Sequence, residues 1–169
     1  MTIGVILLVV GTIGALLFWP KKAEGSAANP GWTSSPPSIN DLIARASAKY
    51  GVEAALIRAH IKVESDFNPY AVNPSDPSYG LMGITPQLAQ DYGVVYDYMN
   101  PTAQEIAKLK DPEMNISIGT RYLAKLHKEY EFDVATQMYN CGITGYLKNG
   151  VRVPEYLAKI KRYYNEFRT

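Results

Sequence analysis

Residues Ile3 to Trp19 carry no charged side chain, and this limits the fold before anything else does. A helix this apolar has no polar face to offer water, and at about 1.5 Å per residue it spans most of a roughly 30 Å bilayer core. Residues 1–19 are therefore read as a transmembrane anchor. The rival reading is a cleaved secretory signal, because Ser26-Ala27-Ala28 offers the small residues a signal peptidase reads. Against it, Met1 to Val5 holds no Lys or Arg, and Lys21 and Lys22 follow the apolar stretch instead of preceding it. From Pro20 to Pro37 the composition shifts to Pro, Gly, Ser and Ala, too poor in large apolar residues to bury, so residues 20–37 read as a flexible linker. The folded domain is expected over residues 38–169.

Local signals divide that domain into helices. Ser38 can cap a helix whose apolar positions Ile39, Leu42, Ile43 and Ala46 follow helical spacing, with Gly51 as its stop. A second helix is expected from Val52 to about Ser65. The stretch from Asp66 to Gly83 holds Pro69, Pro74, Pro77 and Gly80 among polar residues and reads as a long structured loop or small hairpin. Thr85-Pro86 opens a short helix, Thr102 with Glu105 forms a capping box, and Asp111-Pro112 sets a cap and a first-turn proline before a longer helix. On that helix Ile116, Gly119, Leu123, Leu126 and Tyr130 are expected to share a buried face. Asp133 to Tyr139 reads as a further helix, and Pro154 starts the last, through Tyr156, Ile160 and Tyr163. The fold class is mainly α.

A formal net charge of +1 supplies no bulk attraction for nucleic acid. Cys141 is the single cysteine, so no intrachain disulfide and no Cys-based zinc site can form. His60, His127 and the acidic residues show no metal-ligand spacing, and no cofactor is implied. The informative residue is Glu64. It lies three residues after Ile61 and seven after Ile57, so a carboxyl group ends an otherwise apolar stripe. Desolvation there would favour the neutral acid and raise its pKa toward the range a general acid needs. The alternative from spacing alone is a surface glutamate at a frayed helix end.

Glu64 opens the run Glu64-Ser65-Asp66-Phe67-Asn68-Pro69, followed in order by Gly80-Leu81-Met82-Gly83-Ile84-Thr85-Pro86, by Asn115-Ile116 with Gly119, Tyr122 and Leu123, and by Tyr139-Asn140-Cys141-Gly142. In these motifs, and over nearly all of residues 38–169, the chain resembles the soluble lytic transglycosylase family, whose catalytic domain has a goose-lysozyme-like fold. The resemblance implies that Glu64 acts first as acid on the bond between N-acetylmuramic acid and N-acetylglucosamine in peptidoglycan, then as base. It also implies that the substrate's N-acetyl oxygen and C6 hydroxyl replace an attacking water and leave a 1,6-anhydro product. Ser65 matches the position that supports the catalytic glutamate, Asn73 a polar position in the sugar cleft, and Met82 part of the cleft-wall turn. Tyr139 and Asn140 match the pair facing the acid. The tyrosine hydroxyl would orient the carboxyl or bind the sugar's acetamido group, unless Tyr139 is an ordinary core aromatic.

Two positions depart from the family pattern. Gly83 stands where a glycan-contacting glutamine is usual, so a sugar subsite is expected to be weaker unless Gln87 fills the space. Arg152 stands where the family often has a cleft glutamate, four residues before the tyrosine matched by Tyr156. His60 is read as a packed or partly exposed histidine, His127 as incidental and Cys141 as buried and inert. Two other readings stay open: a true hydrolase with Asp76 activating water, and a non-catalytic wall-binding component of a virion or secretion machine. Lys21 and Lys22 favour retention of the downstream chain on the cytoplasmic side. A phage protein in a membrane taken from the host would resolve that conflict with a wall substrate, because budding would turn the cytoplasmic face outward.

Overall fold

The computed structural model describes residues 36–169; the expected anchor and nearly all of the expected linker fall outside the described residues. No helix among the described residues is long and apolar enough to cross a membrane.

The domain is mainly helical. Helix α1 (Ile39–Tyr50) begins with the expected cap: the Ser38 hydroxyl accepts from Asp41 N, and the Asp41 carboxylate accepts from Ser38 N. Gly51, at φ 70, ends it. Helix α2 (Ala54–Ser65) starts two residues later than expected, with Glu53 at its N-cap, although Val52 still enters the core. Its exit is strained. Asp66 (φ 51) and Phe67 (φ 62) are consecutive left-handed residues without being glycine. An Asp66–Lys62 ion pair and an edge-on contact of Phe67 with Phe167, 6.3 Å between ring centroids, hold this corner.

The Pro-rich stretch forms a two-stranded antiparallel hairpin, β1 (Val72–Asn73) against β2 (Ser78–Tyr79), with Val72 opposite Tyr79. A further bridge from Tyr79 to Ile84 folds the following turn back on the hairpin. Thr85 caps α3 (Pro86–Asp91), and the Thr102–Glu105 box caps α4 (Ala103–Leu109). Asp111 and Pro112 start α5 (Pro112–Glu129). Ile116, Gly119, Leu123 and Leu126 on α5 are buried as expected, whereas Tyr130 lies past the helix end in extended conformation and is half-buried.

Helix α6 (Phe132–Leu147) corrects the expected stop at Tyr139. The chain continues past the Tyr139-Asn140 pair and is broken at Gly142, whose φ 72 and ψ 157 belong to a region essentially reserved for glycine, before helix resumes. Helix α7 (Pro154–Arg168) closes the domain and packs mainly on α2. The core runs from Ile43 through Ile57 and Ile61 to Leu81, Met82, Ile84, Ile116, Leu123 and Ile160, so the turn at residues 80–84 is itself interior structure. Gly119 permits this, since a Cβ there would lie 2.6 Å from Met82 Sδ.

Candidate active site

The end of α2, the turn at residues 80–83, α6 and α7 converge on one side chain, Glu64. It stands at the wall of an open cleft of about 630 Å³ that is also lined by Asn73, Asp76, Gly83, Gln87, Tyr98, Tyr122, Tyr139, Asn140 and Cys141. A separate hollow at the α5–α6 connection, lined by residues 127–132 and Val134, contains none of the motif residues.

Glu64 is half-buried, with Tyr156 Oη donating to its Oε1 at 2.6 Å. Burial pushes its pKa up to about 7, and the Tyr156 hydrogen bond, which favours the ionised form, opposes that rise. A carboxyl with this pKa is substantially protonated at neutral pH and can exchange its proton in either direction. Burial also holds the hydroxyls of Tyr139 and Tyr156 well above the ordinary phenol range, and the neighbouring Glu64 charge adds to this, so both tyrosines act as neutral hydrogen-bonding groups.

The sequence-predicted residues divide into those on the cleft and those behind it. Asn73, Tyr139 and Asn140 line the cleft with Glu64. Asn73 Oδ1 accepts from Ser75 N at 3.1 Å, which shapes the hairpin tip, and Asn140 is exposed. The expectation that the Tyr139 hydroxyl would orient the carboxyl needs correction: it donates to Met82 O at 2.9 Å. Ser65 faces away from the cleft, its hydroxyl shared between Ile61 O at 3.0 Å and Leu81 O at 2.9 Å, so it ties the end of α2 to the 80–83 turn. Met82 does not line the cleft. Its side chain is fully buried against Gly119, with Thr120 Oγ1 3.9 Å from its sulfur.

Three residues that sequence reasoning left without a role determine this geometry. Tyr156 was matched to a family position, but its contact with Glu64 joins residues 92 apart in the chain. His60, read as packed or partly exposed, is completely buried, with Nδ1 3.0 Å from Tyr156 Oη. Asn115 is also fully buried: its Oδ1 accepts from Met82 N at 2.7 Å, and its Nδ2 donates to Tyr79 O at 2.7 Å and Leu109 O at 2.6 Å. A Cβ on Gly80 would fall 2.6 Å from Leu109 O and press into the Asn115 amide, so the turn must pass this point as glycine.

Gly83 has a steric reason to be glycine. Its φ is 59, and a Cβ would lie 2.5 Å from Glu64 Oε2 and 3.2 Å from Glu64 Cδ. The carboxyl occupies the space that a side chain at this position would enter. Gln87, one helical turn on, is exposed on the cleft and retains an amide there. Arg152 does not line the cleft: it stacks 3.7 Å over the Tyr146 ring and donates to Tyr146 O and Val151 O. Cys141, expected to be buried, is half-buried on the cleft wall, and desolvation raises its thiol pKa, which lowers its reactivity.

The Transglycosylase SLT domain model matches residues 41–160, and the chain belongs to that family. Among curated relatives, membrane-bound lytic murein transglycosylase C of Photorhabdus laumondii is 41% identical over 109 residues, covering 62% of this chain and 29% of the relative. Membrane-bound lytic murein transglycosylase E of Buchnera aphidicola is 41% identical over 93 residues, covering 54% of this chain and 40% of that protein. The crystal structure of the 70 kDa soluble lytic transglycosylase of Escherichia coli matches with a TM-score of 0.58 at 26% identity, over 78% of this chain and 25% of that one. The matched segments thus span less than half of each of these relatives.

Proposed function

We propose that the domain is a peptidoglycan lytic transglycosylase that cleaves the β-1,4 bond between N-acetylmuramic acid and N-acetylglucosamine and leaves a 1,6-anhydro end. The observation that carries this reading is Glu64 itself: a carboxyl with a pKa near 7, held by Tyr156 at Oε1, on the wall of an open cleft. Family membership and the names of the relatives support it. Because Tyr156 donates to Oε1, the acidic proton belongs on Oε2, the oxygen beside Gly83. Oε2 protonates the glycosidic oxygen as the bond to the anomeric carbon breaks, and the substrate's acetamido oxygen stabilises that carbon. The carboxylate so formed then takes the proton of the C6 hydroxyl as its oxygen closes the anhydro ring, so the enzyme ends in its starting protonation state.

The hydrolytic alternative keeps one observation in its favour, since Asp76 lines the same cleft and could activate a water. Mass spectrometry of fragments released by the full chain from purified peptidoglycan separates the two. Anhydromuramic ends are expected; reducing ends would assign a hydrolase, and no release would favour a docking role. We also assign the domain to the envelope, tethered through residues 1–19; the apolar run Ile3 to Trp19 and the membrane-bound names of the relatives support that placement. A phage membrane taken from the host is the setting that would reconcile the two lysines after the apolar run with a wall substrate.

The contact at Gly83 yields a direct test of the acid's position. Gly83→Ala forces Oε2 off its site, and glycan release is expected to fall about 10- to 100-fold, while the left-handed backbone costs the fold only about 1–2 kcal/mol. Parallel measurement of turnover and of the urea midpoint checks the split. Unchanged turnover would mean that Oε2 need not lie where it does.

A further inference from the structure

His60 is one turn before Glu64 on α2 and fully buried, and Glu64 with Tyr156 is the machinery of the proposed function, on which this inference rests. Its Nδ1 lies 3.0 Å from Tyr156 Oη, and that same hydroxyl lies 2.6 Å from Glu64 Oε1. A phenol has one proton. It can donate to the histidine or to the glutamate, and the tautomer of His60 decides which. The other ring nitrogen settles the tautomer, because Nε2 is buried with no hydrogen-bond partner among the described residues. An N–H at that position would be an orphaned buried donor, the rarer and costlier arrangement, whereas a bare lone pair is better tolerated.

We propose that His60 is a positioning residue: neutral and protonated on Nδ1, it donates to Tyr156 Oη and so commits the tyrosine's only proton to Glu64. Packing fixes the ring for this task. It lies against Tyr139 with centroids 4.5 Å apart and a 59° tilt, and Tyr139 is itself tied to Met82 O. The imidazolium form, which would place a second donor in the apolar interior, is disfavoured by burial, which pushes the His60 pKa down to about 3. Donation from Nδ1 polarises the Tyr156 hydroxyl and strengthens its bond to the carboxylate, the state that exists after the proton has left for the leaving oxygen. His60 would therefore act on the chemical step and leave substrate affinity alone.

The chain has two histidines, so a long-range proton–nitrogen spectrum of the full chain with labelled imidazoles contains two rings, assigned by His127→Gln. His60 is expected as the neutral Nδ1–H tautomer, and an Nε2–H tautomer or an imidazolium would overturn the proposal. This readout does not need turnover, so a protein that releases no glycan would sink the proposed function without deciding the role of His60. In active protein, His60→Leu is expected to lower kcat about tenfold or more with KM unchanged. His60→Asn, whose side-chain amide can place an N–H near the Nδ1 position, is expected to restore most of that loss. Equal losses in the two variants, or a loss confined to KM, would also overturn it.

Discussion

Glu64→Gln is expected to abolish measurable glycan release and, at the same time, to make the protein more stable at pH 8. The first effect follows from removing the carboxyl that the proposed mechanism uses to give and retake a proton, a role that contributes roughly 10²–10⁴-fold. The second follows from the raised pKa. The unfolded chain releases the Glu64 proton near pH 4.5, whereas the folded chain holds it until about pH 7. Between these values the folded state binds more protons than the unfolded state, so stability falls as pH rises from about 4.5 to 7 and stays lowered above that range. A shift of this size corresponds to at most about 3 kcal/mol, and because the side chain is half-buried and solvent reaches it, about 1–2 kcal/mol is the effect to expect. Glutamine keeps the shape and an acceptor for Tyr156 but carries no charge to desolvate. Denaturation of both proteins at pH 4.5 and pH 8 should show a gap that opens only at the higher pH. A gap that does not change with pH would mean that the carboxylate is not desolvated, which would remove the basis for its acid role. The same pKa requires glycan release by the wild type to decline above about pH 7 as the protonated acid is depleted.

What was legible in the sequence was local. Ser38, Thr85 and Thr102 each cap the helix they were expected to cap, because a cap bonds within three residues of itself and needs no tertiary partner. Spacing left Glu64 open between a desolvated acid and a surface glutamate; it is half-buried on the face of the fully buried Ile57 and Ile61. The rest depended on residues far apart in the chain. Spacing cannot reveal that Tyr156, near the start of the last helix, supplies the hydrogen bond to Glu64, or that Tyr139 instead supports the Met82 carbonyl. The break at Gly142 was hidden because glycine after a helix usually marks its end, and here helix continues beyond it. At Gly83 the substitution looked like a lost side chain. The structure turns that around, since the space is filled by the carboxyl of Glu64. His60 carried a faint signal, a polar residue one turn from Glu64 on the buried stripe, which gains meaning only when its partner on α7 is known.

Asn115→Ala is expected to cost the fold about 3–5 kcal/mol, from stranding two buried backbone groups at once. The asparagine amide satisfies the Met82 N–H and the Leu109 carbonyl, neither of which has another partner among the described residues, and adds a second donor to the Tyr79 carbonyl, which also accepts from Ile84 N. Against a typical total stability of about 5–15 kcal/mol, that loss is large, and it should appear as a marked drop in the urea midpoint with an unchanged slope. The damage should not be confined to stability. Asn115 anchors the segment that runs from Tyr79 through Met82 to Gly83, and Gly83 is the floor against which Glu64 Oε2 rests. Protein that remains folded should therefore lose turnover as well. Asn115→Asp sharpens the test. It keeps the acceptor for Met82 N but turns an oxygen toward two carbonyl oxygens, and only a protonated carboxyl can supply a donor to one of them. The aspartate variant should accordingly be less destabilised at pH 4 than at pH 8, whereas the alanine variant should show no such dependence. A loss of under about 1 kcal/mol in the alanine variant would mean that water replaces the amide at little cost, and the turn at residues 80–83 would then be held by its apolar packing instead.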